Sequence, residues 1–138
     1  MTLASKSIDT EMELTSCAML IPLALPLIPV AKQLCTGLIR GAFFGDICYS
    51  LHGVYTIEDG VGDAWMVSER DLLKRFPITP HRSAKQVIWE AFDKFEFKRI
   101  QMTVPNDFHV KWCESIGFVL EKINQDKAHL SICPHYQQ

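Results

Sequence analysis

Three features of this 138-residue chain predict a mixed α/β (α+β) domain, a sheet with helices packed against it. A Thr-Pro start at residues 79–80 opens a run of apolar residues at helical spacing, residues 98–104 alternate apolar and polar side chains, and two apolar runs close the chain around a polar turn at 124–126. The length suits one domain over residues 1–138. Such a domain buries roughly two-thirds of its unfolded surface and needs no disulfide or metal staple.

Taken in order, residues 1–5 read as a short strand and residues 8–17 as a helix capped by Ser7. The run 17–31, CAMLIPLALPLIPVA, reads as a kinked, buried connection, followed by a short helix over 30–39 that ends at Arg40-Gly41. Aromatic and β-branched residues make 42–51 a strand; His52-Gly53 reads as a turn and 54–57 as the next strand. Glu58-Asp59-Gly60 is a hairpin-type turn, and 64–68, AWMVS, a short buried strand. A short helical segment is expected over 69–76. Thr79 is the expected N-cap of the main helix, with Pro80 at its first position and Ala84, Val87, Ile88, Ala91, Phe92 and Phe95 on one face. In the strand 98–104, Ile100, Met102 and Val104 alternate with Arg99, Gln101 and Thr103, and Pro105 stops it. Asn106 or Asp107 caps a second helix striped by Phe108, Trp112 and Ile116 and closed by Gly117. Residues 118–123 and 128–133 form the closing strand pair.

Composition excludes several classes of function. With 48% hydrophobic and 22% charged residues the chain is built to fold, and a formal charge of −2 offers no basic stripe for nucleic acid. The five cysteines, Cys17, Cys35, Cys48, Cys113 and Cys133, include no CxxC pair, so neither a zinc site nor a disulfide scaffold is expected and a reducing compartment is. The uncharged run 17–31 spans 15 residues, fewer than the roughly 18–20 a bilayer requires, and Pro22, Pro26 and Pro29 interrupt it. Asp9, Glu11 and Glu13 stand where a signal peptide is basic. No transmembrane segment is therefore expected.

Residues 97–118 carry the most specific pattern: a strand leading into Asn106, then a helix, then Gly117-Phe118. This resembles the closing motif of the GNAT N-acetyltransferase superfamily, with His109 at the usual small position, Trp112 at the large apolar one and Cys113 where a tyrosine is common. The longer stretch 63–118, including DAWMVSERDLLKRF, resembles the GNAT-like internal virion protein A family of short-tailed bacteriophages. The likeness is good over about the last 75 residues and loose before them.

That resemblance implies a cleft where two parallel strands, 64–68 and 98–104, splay apart to admit acetyl-CoA. Met66, Val67 and Ser68 would pair with the pantetheine arm, and Arg82, Ser83, Ala84 and Lys85 would hold the pyrophosphate at the helix start, with Asn106 at the end of the neighbouring strand. Glu69 takes the position of a general base and Cys113 that of the acid. The turn His81-Arg82-Ser83-Ala84-Lys85-Gln86-Val87 departs from the family in having no glycine, the residue that lets backbone close on phosphates. Two readings stay open. One is a virion-associated or assembly protein with a degenerate acetyl-CoA site, found in the host cytoplasm or the virion, whose partner is a virion or host protein or a second copy of itself. The other is an active N-acetyltransferase acting on a small molecule or a host protein. No metal is expected in either.

Overall fold

The structure, a computed structural model, describes residues 3–8, 35–68, 75 and 78–134. Among the described residues, seven strands and two helices follow one another as β1 (Ala4–Ile8), β2 (Cys35–Phe44), β3 (Ile47–Glu58), β4 (Val61–Ser68), α1 (Ile78–Phe95), β5 (Arg99–Pro105), α2 (Phe108–Ile116), β6 (Val119–Asn124) and β7 (Lys127–Ile132). They form one mixed sheet in the order β1-β2-β3-β4-β5-β7-β6, so the expected fold class stands. Every neighbouring pair is antiparallel except β4 and β5, which α1 joins as a crossover.

Both helices cover the same sheet face. The stripe Ala84, Val87, Ile88, Ala91 and Phe92 of α1 and the residues Val110, Cys113 and Ile116 of α2 meet Val54, Ala64, Ile100, Met102, Val104, Leu130 and Ile132 in one core. Ile100, Met102 and Val104 are buried, as the alternation of β5 requires, and Leu130 and Ile132 of β7 are completely buried beside them. Asp107 caps α2 by accepting the His109 backbone N–H at 2.9 Å, and Gly117, at φ 127°, ends it as predicted.

Several expectations are corrected, most of them in the first half of the chain. Ser7 caps no helix; it lies in β1, paired with Arg40 of β2. The helix expected over 30–39 gives way at Cys35 to strand β2, which runs unbroken through Arg40-Gly41. The single strand expected over 42–51 is a hairpin turning at Gly45-Asp46, where Gly45 takes φ 58°. His52-Gly53 is no turn but the middle of the long strand β3. Thr79 sits inside the first turn of α1, and its hydroxyl donates to the Leu3 carbonyl at 3.2 Å. The expected helix at 8–17, the run 17–31 and most of the segment 69–76 lie outside the described residues. Among the described residues, no helix is long and apolar enough to cross a membrane.

Candidate functional site

The central feature is the end of the parallel pair. β4 and β5 are in register from Val61↔Arg99 to Ala64↔Met102 and no further. Beyond that point β4 continues against β3 as far as Ser68↔Ser50, and β5 continues against β7 as far as Pro105↔Lys127. The two strands diverge, and the edge groups of residues 65–68 and 103–105 that would have bonded across the gap face a cleft of about 580 Å³. Trp65, Met66, Val67 and Ser68 form one wall and Met102, Thr103, Val104 and Pro105 the other. Tyr55 and Asp63 lie at its root, and His109 and Lys127 also line it.

Two polar pairs serve this cleft. Tyr55 and Asp63 are register partners across the β3–β4 hairpin, and the Tyr55 hydroxyl donates to Asp63 Oδ2 at 2.7 Å. Burial raises the Asp63 carboxyl above its ordinary range, although the tyrosine hydrogen bond pulls it down. The phenol is pushed up to about 12 by its own desolvation and by the adjoining carboxylate. At the start of α2, Asp107 Oδ1 lies 2.6 Å from His109 Nδ1. Neither pair was found by motif; Tyr55 and Asp63 lie four residues to either side of Asp59, and the register shift between Thr56 and Glu58 sets them opposite each other.

The structure treats the sequence-derived site residues unequally. Met66, Val67 and Ser68 line the cleft. Arg82 and Lys85 do not; they lie, with Gln86, Trp89, Glu90 and Asp93, along a separate groove of about 300 Å³ on the outer face of α1. Ser83 and Ala84 point into the sheet side of that helix, and the Ser83 hydroxyl accepts from Ser5 at 3.1 Å. Asn106 is exposed outside the cleft, its backbone N–H donating to the Asp126 carbonyl at 2.8 Å. Cys113 is fully buried with its thiol 3.9 Å from Met102 Sδ, and burial drives it up to about 12, so it does not reach the cleft as a proton donor. Glu69 lies outside the described residues. Among the described residues, no three His, Cys, Asp or Glu side chains converge to hold a metal ion.

On the helix side of the splay, Met66, Met102 and Trp112 close the space to a void of about 20 Å³. His52 borders this void, 2% exposed, with Nε2 2.8 Å from Ser50 Oγ and its ring stacked on Trp112 at 6.2 Å.

Comparison with known proteins places the fold. No protein-family model matches the chain, and no curated protein does. Solved structures do. An acetyltransferase of the GNAT family from Streptococcus pneumoniae aligns at a TM-score of 0.63 with 14% identity, over 96% of this chain and 99% of that one. A Bacillus subtilis acetyltransferase in complex with CoA aligns at 0.69 with 12% identity, over 96% and 99%. The dodecameric spermidine N-acetyltransferase of Vibrio cholerae aligns at 0.69 with 13% identity, over 95% and 93%. At these identities the likeness is one of fold: the chain has the architecture of GNAT acetyltransferases.

Proposed function

We propose that the β4–β5 cleft binds acetyl-CoA and that the chain transfers the acetyl group to an amine. The observation that carries this reading is the divergence of the parallel strands β4 and β5 after Ala64 and Met102, which leaves an open cleft with backbone edges on both sides. An extended pantetheine arm is slender and amide-bearing, so it matches such a slot as an inserted strand would. The CoA complex of a structural neighbour supports the same ligand. Met66, Val67 and Ser68 would pair with the arm, and Arg82 and Lys85, both exposed near the start of α1, would reach the phosphates by their side chains. Asp63, with its raised carboxyl and its Tyr55 partner, suits the capture of the incoming ammonium.

A second reading keeps the fold without the chemistry: a virion-associated or assembly protein of a bacteriophage, working in the host cytoplasm or the particle. The glycine-free turn favours it, because Ser83 and Ala84 are committed to packing rather than to a phosphate cradle. Acetyl-CoA titrated calorimetrically into wild-type protein and into an Arg82→Ala, Lys85→Ala double variant separates the two. Micromolar binding that the variant loses supports the acetyltransferase reading; no binding at millimolar acetyl-CoA overturns it in favour of the second. Sedimentation of the same samples tests whether the chain self-associates.

A further inference from the structure

We propose that His109, held by Asp107, is the proton-transfer residue of the cleft. The proposal rests on the acetyl-transfer reading and adds a group that neither the motif nor the fold assigns.

His109 stands where the resembled motif has a small residue, so an imidazole ring occupies the cleft wall instead of empty space. Its orientation is fixed. One oxygen, Asp107 Oδ1, accepts both the backbone N–H of His109 at 2.9 Å and the ring Nδ1–H at 2.6 Å, so the helix cap and the ring clamp are the same contact. The Phe108 ring stacks on the imidazole at 4.1 Å between centroids. With Nδ1–H donated to a carboxylate, the neutral ring carries its lone pair on Nε2, the atom left to serve the cleft. A base oriented by a carboxylate and facing a substrate-sized space is the arrangement that activates nucleophiles generally.

Among the described residues, the alternatives are poorly placed. Cys113 is sealed beneath Met102, and His52 is buried against Trp112 on the helix side. Among the described residues, the other titratable groups that face the cleft are Asp63 and Tyr55, which bond to each other at its root, and Lys127 at the start of β7. A lysine ammonium beside the same cleft favours the thiolate that must leave.

The proposed step balances on one imidazole. The neutral amine attacks the thioester carbonyl carbon, forming the C–N bond and an oxyanion. His109 Nε2 takes a proton from the new ammonium nitrogen, and Asp107 stabilises the resulting imidazolium. The intermediate collapses, the C–S bond breaks and its electron pair leaves on sulfur. His109 Nε2–H then returns the proton to sulfur, giving the amide, free CoA thiol and an unchanged ring. His109 is catalytic in this scheme; Asp107 is a positioning residue.

The test uses the full chain, with acetyl-CoA as donor and spermidine and polylysine as amine probes. His109→Gln should bind acetyl-CoA within about threefold of wild type and lose at least about 100-fold in kcat, the scale of general acid–base catalysis. Asp107→Asn keeps an oxygen for the cap, so it should retain wild-type stability yet lose about tenfold in kcat with KM unchanged; Asp107→Ala loses the cap as well. The pH profile of kcat/KM should lose one limb in His109→Gln. Independently of any acceptor, a histidine ¹⁵N spectrum should show a signal, absent from His109→Gln, that reports the Nδ1-protonated tautomer and shifts when acetyl-CoA is added. Wild-type turnover in His109→Gln, or binding of acetyl-CoA that leaves this signal unmoved, overturns the proposal while the acetyl-transfer reading stands. Absence of acetyl-CoA binding by wild type overturns both. If neither amine is acetylated, the spectrum decides.

Discussion

His52 makes the acid stability of this protein calculable. Its ring is buried under α1 and α2, Nε2 is paired with Ser50, and Nδ1 has no partner among the described residues. Burial without a counter-charge lowers it from 6.5 to about 3. The folded value lies below the unfolded one, so as pH falls the unfolded chain takes up the proton first. The stability held by the neutral ring is therefore complete above about pH 6.5 and drains away as the pH drops toward about 3. Between pH 7.5 and pH 5 this covers about 1.5 pH units at roughly 1.4 kcal/mol each, or about 2 kcal/mol. Urea unfolding of wild type and His52→Gln at the two pH values isolates the effect, because every other titrating group is common to both proteins. Asp63 has the opposite sign, its raised carboxyl taking up a proton first in the folded state, and it cancels in the same comparison. Wild type should lose about 2 kcal/mol more than the variant over this interval. Equal losses would refute a buried, neutral His52.

Other perturbations follow from packing and charge. A methyl added in Gly53→Ala would stand 2.5 Å from the Trp65 ring, so the variant should lose about 1–3 kcal/mol and shift the tryptophan emission of the cleft wall. Ile100→Ala removes a fully buried side chain from the centre of the sheet and should cost about 2–5 kcal/mol by denaturant unfolding. Native-state alkylation mapped by mass spectrometry should leave Cys48 and Cys113 unlabelled and label the half-buried Cys133. Acetyl-CoA affinity should fall several-fold from 50 to 500 mM salt (roughly 14 to 4 Å of Debye length), because the cations offered to the phosphates, Arg82 and Lys85, are exposed; salt-independent binding would point to backbone contacts instead.

The legibility of this fold in its sequence divides near residue 60. Past it, Thr79 excepted, local signals and tertiary structure agree: Pro105 ends β5, Asp107 and Gly117 bracket α2, and Gln125, at φ 59°, makes the closing turn. Before it, tertiary contacts override local ones. Gly53 looks like a turn residue, but it is a glycine because the Trp65 ring of the neighbouring strand lies flat over it, a cross-strand contact invisible in sequence. Gly41 is likewise crowded by the Phe43 ring, within 2.7 Å of where a Cβ would stand, so Arg40-Gly41 continues a strand rather than ending a helix. The real turn, Gly45-Asp46, had a hairpin signal of its own, masked by the apolar residues on either side. At the site, Met66, Val67 and Ser68 of β4 were legible through the family resemblance, which puts the end of that strand at the cleft. Asp63 and Tyr55 were not, because their meaning depends on hairpin register, and the burial of Cys113 follows from how α2 is rotated on the sheet.

That rotation also divides the labour between the two ends of α2. Nine residues make two and a half turns, so a helix that buries Val110, Cys113 and Ile116 against the sheet turns its other face outward. At its N-terminal end, where β5 has already parted from β4, the neighbouring space is the cleft rather than another strand, and His109 lines it. The buried stripe seats the helix; the first turn, with no strand left to cover it, is where a polar side chain meets the cleft. A proton-handling group at position 113 would have to be desolvated among Met102 and its neighbours, as the thiol is, and would be silenced by that burial. A group at 109 keeps a half-buried setting and a carboxylate partner. The same splay that opens the cleft thus selects which end of the helix can do chemistry there.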